Sequence, residues 1–284
     1  RRVGSKGGLD QRPAGRAGHV AVWTGSQMVV WGGVGDEGFL RTGGRFDVSA
    51  QVWRETSRLD APGERTGHSG VWTGKYLVVF GGQNASGHLN STAVYEPEAD
   101  RWQRLNFPNQ PAPRVDAEAV WIRESDTSGR MMVWGGRGAT GALNDGGQLI
   151  FENGEPVRWT TVSIDGAPGG RHDHSLVWTG EKVLVWGGER SNTPLGTGGC
   201  YDPFADTWEL FTGDNSPSAR SGQIGIWTGR ELLIQGGETS GGVVDSGYAV
   251  NPGDRQWREL DDSVSALPRE SCNIPRFAKD GGAA

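Results

Sequence analysis

The chain has 284 residues, enough for one large domain or two ordinary ones, with 48 Gly, 13 Trp and a formal net charge of −6. That charge is too small and too mixed in sign for a nucleic-acid binder. No apolar run approaches the roughly 18 residues that a membrane-spanning helix needs.

Residues 1–14 read as an N-terminal extension. They open with Arg1-Arg2-Val3-Gly4, and no secretory leader is visible, although a mature form with its leader removed would look the same. From Arg16 onward a unit recurs. Arginines stand at Arg16, Arg65, Arg114, Arg171 and Arg220, and Gly-Gly pairs begin at Gly32, Gly81, Gly135, Gly187 and Gly236. Tryptophans close each unit at Trp53, Trp102, Trp159, Trp208 and Trp257. The step from Arg to Gly-Gly is 16 residues in four units and 21 in the third, and the step from the closing Trp to the next Arg is 12 throughout. A recurrence of this kind sets the fold before any other signal is weighed. The units are 16–64, 65–113, 114–170, 171–219 and 220–261, followed by a tail over 262–284.

Each unit predicts four short strands, A to D. In the second unit they are His68–Trp72, Leu77–Phe80, Ala93–Tyr95 and a strand starting at Trp102. β-branched and aromatic runs bounded by Gly, Pro and Asp make strands and tight turns, and four-stranded units at this period are propeller blades. Every tryptophan falls on a repeat position, which assigns them to packing between units rather than to sugar-stacking platforms. The expectation is an all-β protein, a β-propeller of five four-stranded antiparallel blades. The alternative is six blades with the termini completing one. The tail begins a sixth beat at Pro268-Arg269 and then loses it, so it is expected to latch the seam.

The pattern Arg-x-Gly-His, apolar strand, Gly-Gly, then Tyr201-Asp202-Pro203-Phe204-Ala205-Asp206-Thr207-Trp208 resembles the kelch repeat. The resemblance covers roughly residues 15–261, and the third unit departs from it with Glu152-Asn153-Gly154 in place of Tyr-Asp-Pro. It implies a propeller that binds a protein segment or a glycan through the face made by the B–C and D–A loops. It also places Arg16, Arg65, Arg114, Arg171 and Arg220 around one mouth of the central channel, where guanidinium forks suit the carboxylates of an acidic partner. The other reading of these arginines is that each braces its own loop.

Positions where the units disagree are better candidates for function than positions where they agree. The first residue after Gly-Gly is Val34, Gln83, Arg137, Glu189 and Glu238 in turn, on polar B–C loops of unrelated sequence. Two residues past the Arg, three units have Gly but the third and fourth have Asp116 and Asp173. Those carboxylates either pair with Arg114 and Arg171 or converge on a shared proton or cation. His174 occupies a slot held by His19 and His68 in sister units, so it is scaffold, expected to hydrogen-bond between blades. His172 is the departure. A metal set could be drawn from His172, Asp173 or Asp116, and Glu189, but the spacing does not define a zinc array, and no metal or cofactor is expected.

No catalytic constellation stands out. The enzyme alternative implied by the resemblance is a sugar-acid mutarotase, with Arg on the substrate carboxylate and Glu moving the proton. A second alternative is a subunit of a larger assembly docked through the enlarged hairpin Ile122–Arg130. The indole-rich Trp-Thr-Gly units resemble bacterial exported kelch proteins, which implies a periplasmic or extracellular location and leaves a cytoplasmic one open. A Cys200–Cys272 bridge is not expected, since Cys200 falls on a third strand and Cys272 beyond the fifth unit.

Overall fold

The computed structural model describes residues 11–211 and 215–260, together with the backbone of Arg276–Phe277. Within these, five antiparallel sheets of four strands follow one another along the chain. The first consists of Val20–Trp23, Gln27–Trp31, Gly43–Asp47 and Val52–Glu55. The third, the enlarged one, consists of Glu118–Arg123, Gly129–Trp134, Gly146–Glu152 and Glu155–Thr161. In every sheet the strands pair in chain order, A–B–C–D. Strands A of blades 1 and 2, 2 and 3, 3 and 4, and 4 and 5 lie side by side, so the A edges surround the axis of a five-bladed β-propeller.

The strands join by turns that the local residues dictate. In blade 3 the C–D hairpin closes through Asn153 (φ 53°) and Gly154 (φ 78°). Both take the left-handed region, as a two-residue hairpin turn requires, so Asn-Gly stands where blades 2 and 4 have a Tyr-x-Pro turn. In blades 2 and 4 that turn is longer, and Tyr95 and Tyr201 each donate a hydroxyl hydrogen bond of 2.6 Å to Asp100 and Asp206.

The core is divided into four buried layers, each between two successive blades. Trp31 of blade 1 packs on Trp102 of blade 2 at 4.9 Å, Phe80 on Trp159 at 5.2 Å, Trp134 on Trp208 at 5.2 Å and Trp186 on Trp257 at 5.3 Å. In each case the residue before Gly-Gly meets the closing Trp of the next unit. Tilted aromatic pairs of this kind add about 0.5–1.5 kcal/mol each beyond their buried area. The Arg+3 residue of the next blade completes three of these contacts. His68 stands edge-on to Trp31 at 5.4 Å and His174 edge-on to Trp134 at 5.3 Å, while Gln223 donates to the Trp186 carbonyl at 3.0 Å. Ring packing is thus part of the inter-blade role expected for His174.

The junction between blades 5 and 1 differs. Among the described residues, the four buried layers join blades 1–2, 2–3, 3–4 and 4–5, and none joins 5 to 1. The residue before Gly-Gly in blade 5 is Gln235, not an aromatic, and Ile226 is 48% exposed. At the other four junctions the second glycine of Gly-Gly donates to the carbonyl of the next arginine, at 2.7–2.9 Å, as in Gly33 to Arg65 and Gly188 to Arg220. No such bond leaves Gly237 among the described residues. On the blade 1 side, the backbone of Arg276–Phe277 runs parallel to Val20–Ala21. Cys200 is buried, and burial pushes its thiol up to about 11. Cys272, and with it the expectation that no bridge joins it to Cys200, lies outside the described residues, as does most of the tail.

Candidate functional site

Each B–C loop folds into a two-stranded ribbon, such as Gln83–Asn84 with Gly87–His88 or Glu189–Arg190 with Thr193–Pro194. The first residue after Gly-Gly forms an isolated bridge with the residue after the repeat arginine: Ala17 with Val34, Thr66 with Gln83, Val115 with Arg137, His172 with Glu189, and Ser221 with Glu238. The candidate positions Val34, Gln83, Arg137, Glu189 and Glu238 therefore start five ribbons anchored in the same way. Their side chains differ on a constant backbone.

The arginines do another job. Arg65, Arg114, Arg171 and Arg220 are 1–2% exposed, and Arg16 is half-buried. Arg171 donates to the carbonyls of Gly169 at 3.0 Å, Gly187 at 2.9 Å and Thr197 at 2.6 Å, and to the Thr197 hydroxyl at 3.2 Å. Arg16, Arg65, Arg114 and Arg220 repeat this set, each clamping the first glycine of its Gly-Gly pair to the exit of its B–C loop. Arg114 adds an ion pair with Asp145 at 3.0 Å. Burial pushes Arg65 and Arg171 down to about 10. These guanidinium groups brace loops and do not form a ligand-facing ring, because their N–H groups are already taken by loop carbonyls. A mutarotase-like site would therefore lack its expected arginine clamp.

The Gly-or-Asp position also has a backbone reason. Gly18, Gly67, Asp116, Asp173 and Gly222 have φ of 54–67°, the left-handed region that Gly and, among other residues, Asp and Asn tolerate. The Gly67 amide donates to the Gly18 carbonyl at 3.0 Å, Asp116 to Gly67 at 2.9 Å and Gly222 to Asp173 at 2.9 Å. These bonds run from blade to blade around the channel mouth. The aspartates do not pair with Arg114 and Arg171, which are turned into their own loops. Asp116 meets Arg137 at 3.3 Å, and Asp173 accepts from His172 Nδ1 at 2.7 Å.

Blade 4 carries the densest group. The His172 side chain is 8% exposed, held on one side by Asp173 and facing Glu189 on the other, with Nε2 3.6 Å from Glu189 Oε1. The hydrogen bond to Asp173 raises the imidazole pKa above its ordinary value, the charges of Asp173 and Glu189 add to the rise, and burial and Arg137 oppose it. The Ser221 hydroxyl donates to the other Glu189 oxygen at 3.3 Å. Beside it lies a cleft of about 410 Å³ between the ribbons of blades 4 and 5, lined by Glu189, Thr193, Ser221 and Glu238 among others. A second cleft, of about 350 Å³, lies between blades 2 and 3 and is mostly apolar, with Pro113, Ala139 and Leu143 in its wall. Ser221 and the apolar cleft were not singled out from sequence. The register that pairs Arg+1 with the residue after Gly-Gly is constant in all five units and would have placed Ser221 beside Glu238.

Fold and repeat geometry define the class: a kelch-type β-propeller. The chain matches the KLHDC2/KLHL20/DRC7 Kelch-repeats domain family over residues 9–127 and 108–274, and it belongs to that family. No curated protein matches it.

Proposed function

We propose that the chain is a protein-binding module that takes a segment of a partner across its B–C ribbons. One observation carries this reading: five ribbons of unrelated sequence rise from one repeated backbone frame and flank two clefts of opposite chemistry. A rigid frame with variable loops is how recognition surfaces are built. The blade 2–3 cleft suits an apolar side chain. The blade 4–5 cleft, with Glu189 and Glu238 in its wall, suits a cationic group, so the favoured partner is basic at that point rather than acidic.

The test is crosslinked capture of partners from cells of the source organism, followed by titration calorimetry with the purified partner. Leu143→Asp and Glu238→Lys are compared with the wild-type chain, each checked by circular dichroism. The expected result is at least about tenfold weaker binding in each variant. Unchanged affinity in both would overturn the reading. Partner binding that survives complete proteolysis of the partner would replace the peptide with a glycan.

A further inference from the structure

We propose that His172 and Glu189 bind one divalent transition-metal ion at the channel mouth, with Asp173 positioning the imidazole from behind. The geometry is that of two acceptor atoms close enough to share one ion. Asp173 is a carboxylate 2.7 Å from Nδ1, so that nitrogen carries the proton and the lone pair of Nε2 faces Glu189. The Nε2 to Oε1 distance of 3.6 Å is too long for a hydrogen bond. It suits two ligands of one ion: at metal–ligand distances of about 2.1 Å, donors 3.6 Å apart subtend about 120°, close to a tetrahedral angle. A carboxylate behind a ligating histidine fixes its tautomer and raises its basicity.

The two ligands are held by the backbone. His172 and Glu189 exchange both amide hydrogen bonds, at 3.1 and 2.9 Å. The His172 ring is buried, and Ser221 fixes the second oxygen of Glu189. The adjoining cleft of about 410 Å³ leaves room for water, or for a donor from a bound partner, at the remaining positions. Imidazole with carboxylate oxygen is a donor set for zinc, cobalt or nickel rather than for calcium or magnesium.

The sister blades provide an internal control. At the same bridged pair they carry Ala17 with Val34, Thr66 with Gln83, Val115 with Arg137, and Ser221 with Glu238. All four make the same bridge, so neither the histidine nor the glutamate is needed to build it. Blade 4 alone combines an imidazole with a facing carboxylate.

The experiment titrates chelator-treated full-length chain with Co²⁺ and with Zn²⁺, followed by calorimetry and by the visible Co²⁺ spectrum. The comparison variants are His172→Thr and Glu189→Gln, which install the residues blade 2 already uses. One equivalent bound in the micromolar range is expected, weakened at least about tenfold in each variant and in Asp173→Asn, with unchanged thermal midpoints. No binding by the wild-type chain would overturn the inference and leave a proton between the two side chains. Wild-type affinity in either ligand variant would also overturn it and assign the ion to the acidic rim at Glu238. No partner is present in this assay, so its outcome is independent of the binding role proposed above.

Discussion

His68 offers a quantitative test of how the blades are held together. Its ring is buried between blades 1 and 2, edge-on to Trp31, and burial pushes its pKa down to about 3, helped by the nearby Arg65. The unfolded chain takes up this proton near 6.5, whereas the folded chain does not until about 3. Stability from this residue is therefore intact above about pH 6.5 and falls as pH drops through the window from 6.5 to 3. Between pH 7 and pH 5 the loss works out at about 2 kcal/mol, roughly a thirtyfold change in the folding equilibrium. His68→Gln removes the proton site and keeps a donor for the Trp31 carbonyl, as Gln223 does for Trp186 at 3.0 Å. Urea denaturation at pH 7 and pH 5 should show the variant losing about 2 kcal/mol less on acidification than the wild-type chain. An equal loss in both proteins would refute the assignment of a neutral, buried His68.

Three further outcomes follow from the same frame. Arg171→Ala should cost about 2–4 kcal/mol, because it takes the guanidinium donor from the Gly187 carbonyl, removes the bonds to Gly169 and Thr197 and empties a buried site; a fall of several degrees in Tm checks this. Gly67→Ala should destabilise more than Gly222→Ala. A Cβ at Gly67 would stand 2.5 Å from Val115 and 2.6 Å from Asp116, whereas at Gly222 it meets nothing within 4 Å, leaving only the left-handed strain of about 1–2 kcal/mol. Denaturation midpoints of the two variants decide it. Trp257→Ala should cost about 3–5 kcal/mol through the cavity opened against Trp186 and Phe211, measurable by the same denaturation.

The propeller was legible because its physics repeats. Four of the closing tryptophans pack on the aromatic before Gly-Gly in the preceding unit. Trp53, Trp102, Trp159, Trp208 and Trp257 all keep step with the arginines, so spacing alone reveals the blades. The ribbons were not legible, because strands of two residues rich in glycine carry no alternation to read. The two readings of the arginines, channel-mouth ring and loop brace, stayed open in the sequence for a physical reason. A sequence shows their charge but not the carbonyls, such as those of Gly187 and Thr197, that converge on it after folding. Asp116 and Asp173 looked like chemistry where the backbone asked for a left-handed residue, and only their partners, Arg137 and His172, separate the two. The weak fifth junction did leave a mark: the run Leu232-Leu233-Ile234-Gln235 ends in an amide where its four sisters end in an aromatic.

Blades 2, 3 and 4 each have two buried layers, while blades 1 and 5 share one each among the described residues. Stability in such a stack is a sum of blade terms and nearest-neighbour terms, so blade 3, flanked by a buried layer on each side, is expected to keep its amide protons longest in hydrogen exchange. The candidate ion site lies on blade 4, beside the layer it shares with blade 5, so an ion held there would add to the stability of that pair of blades.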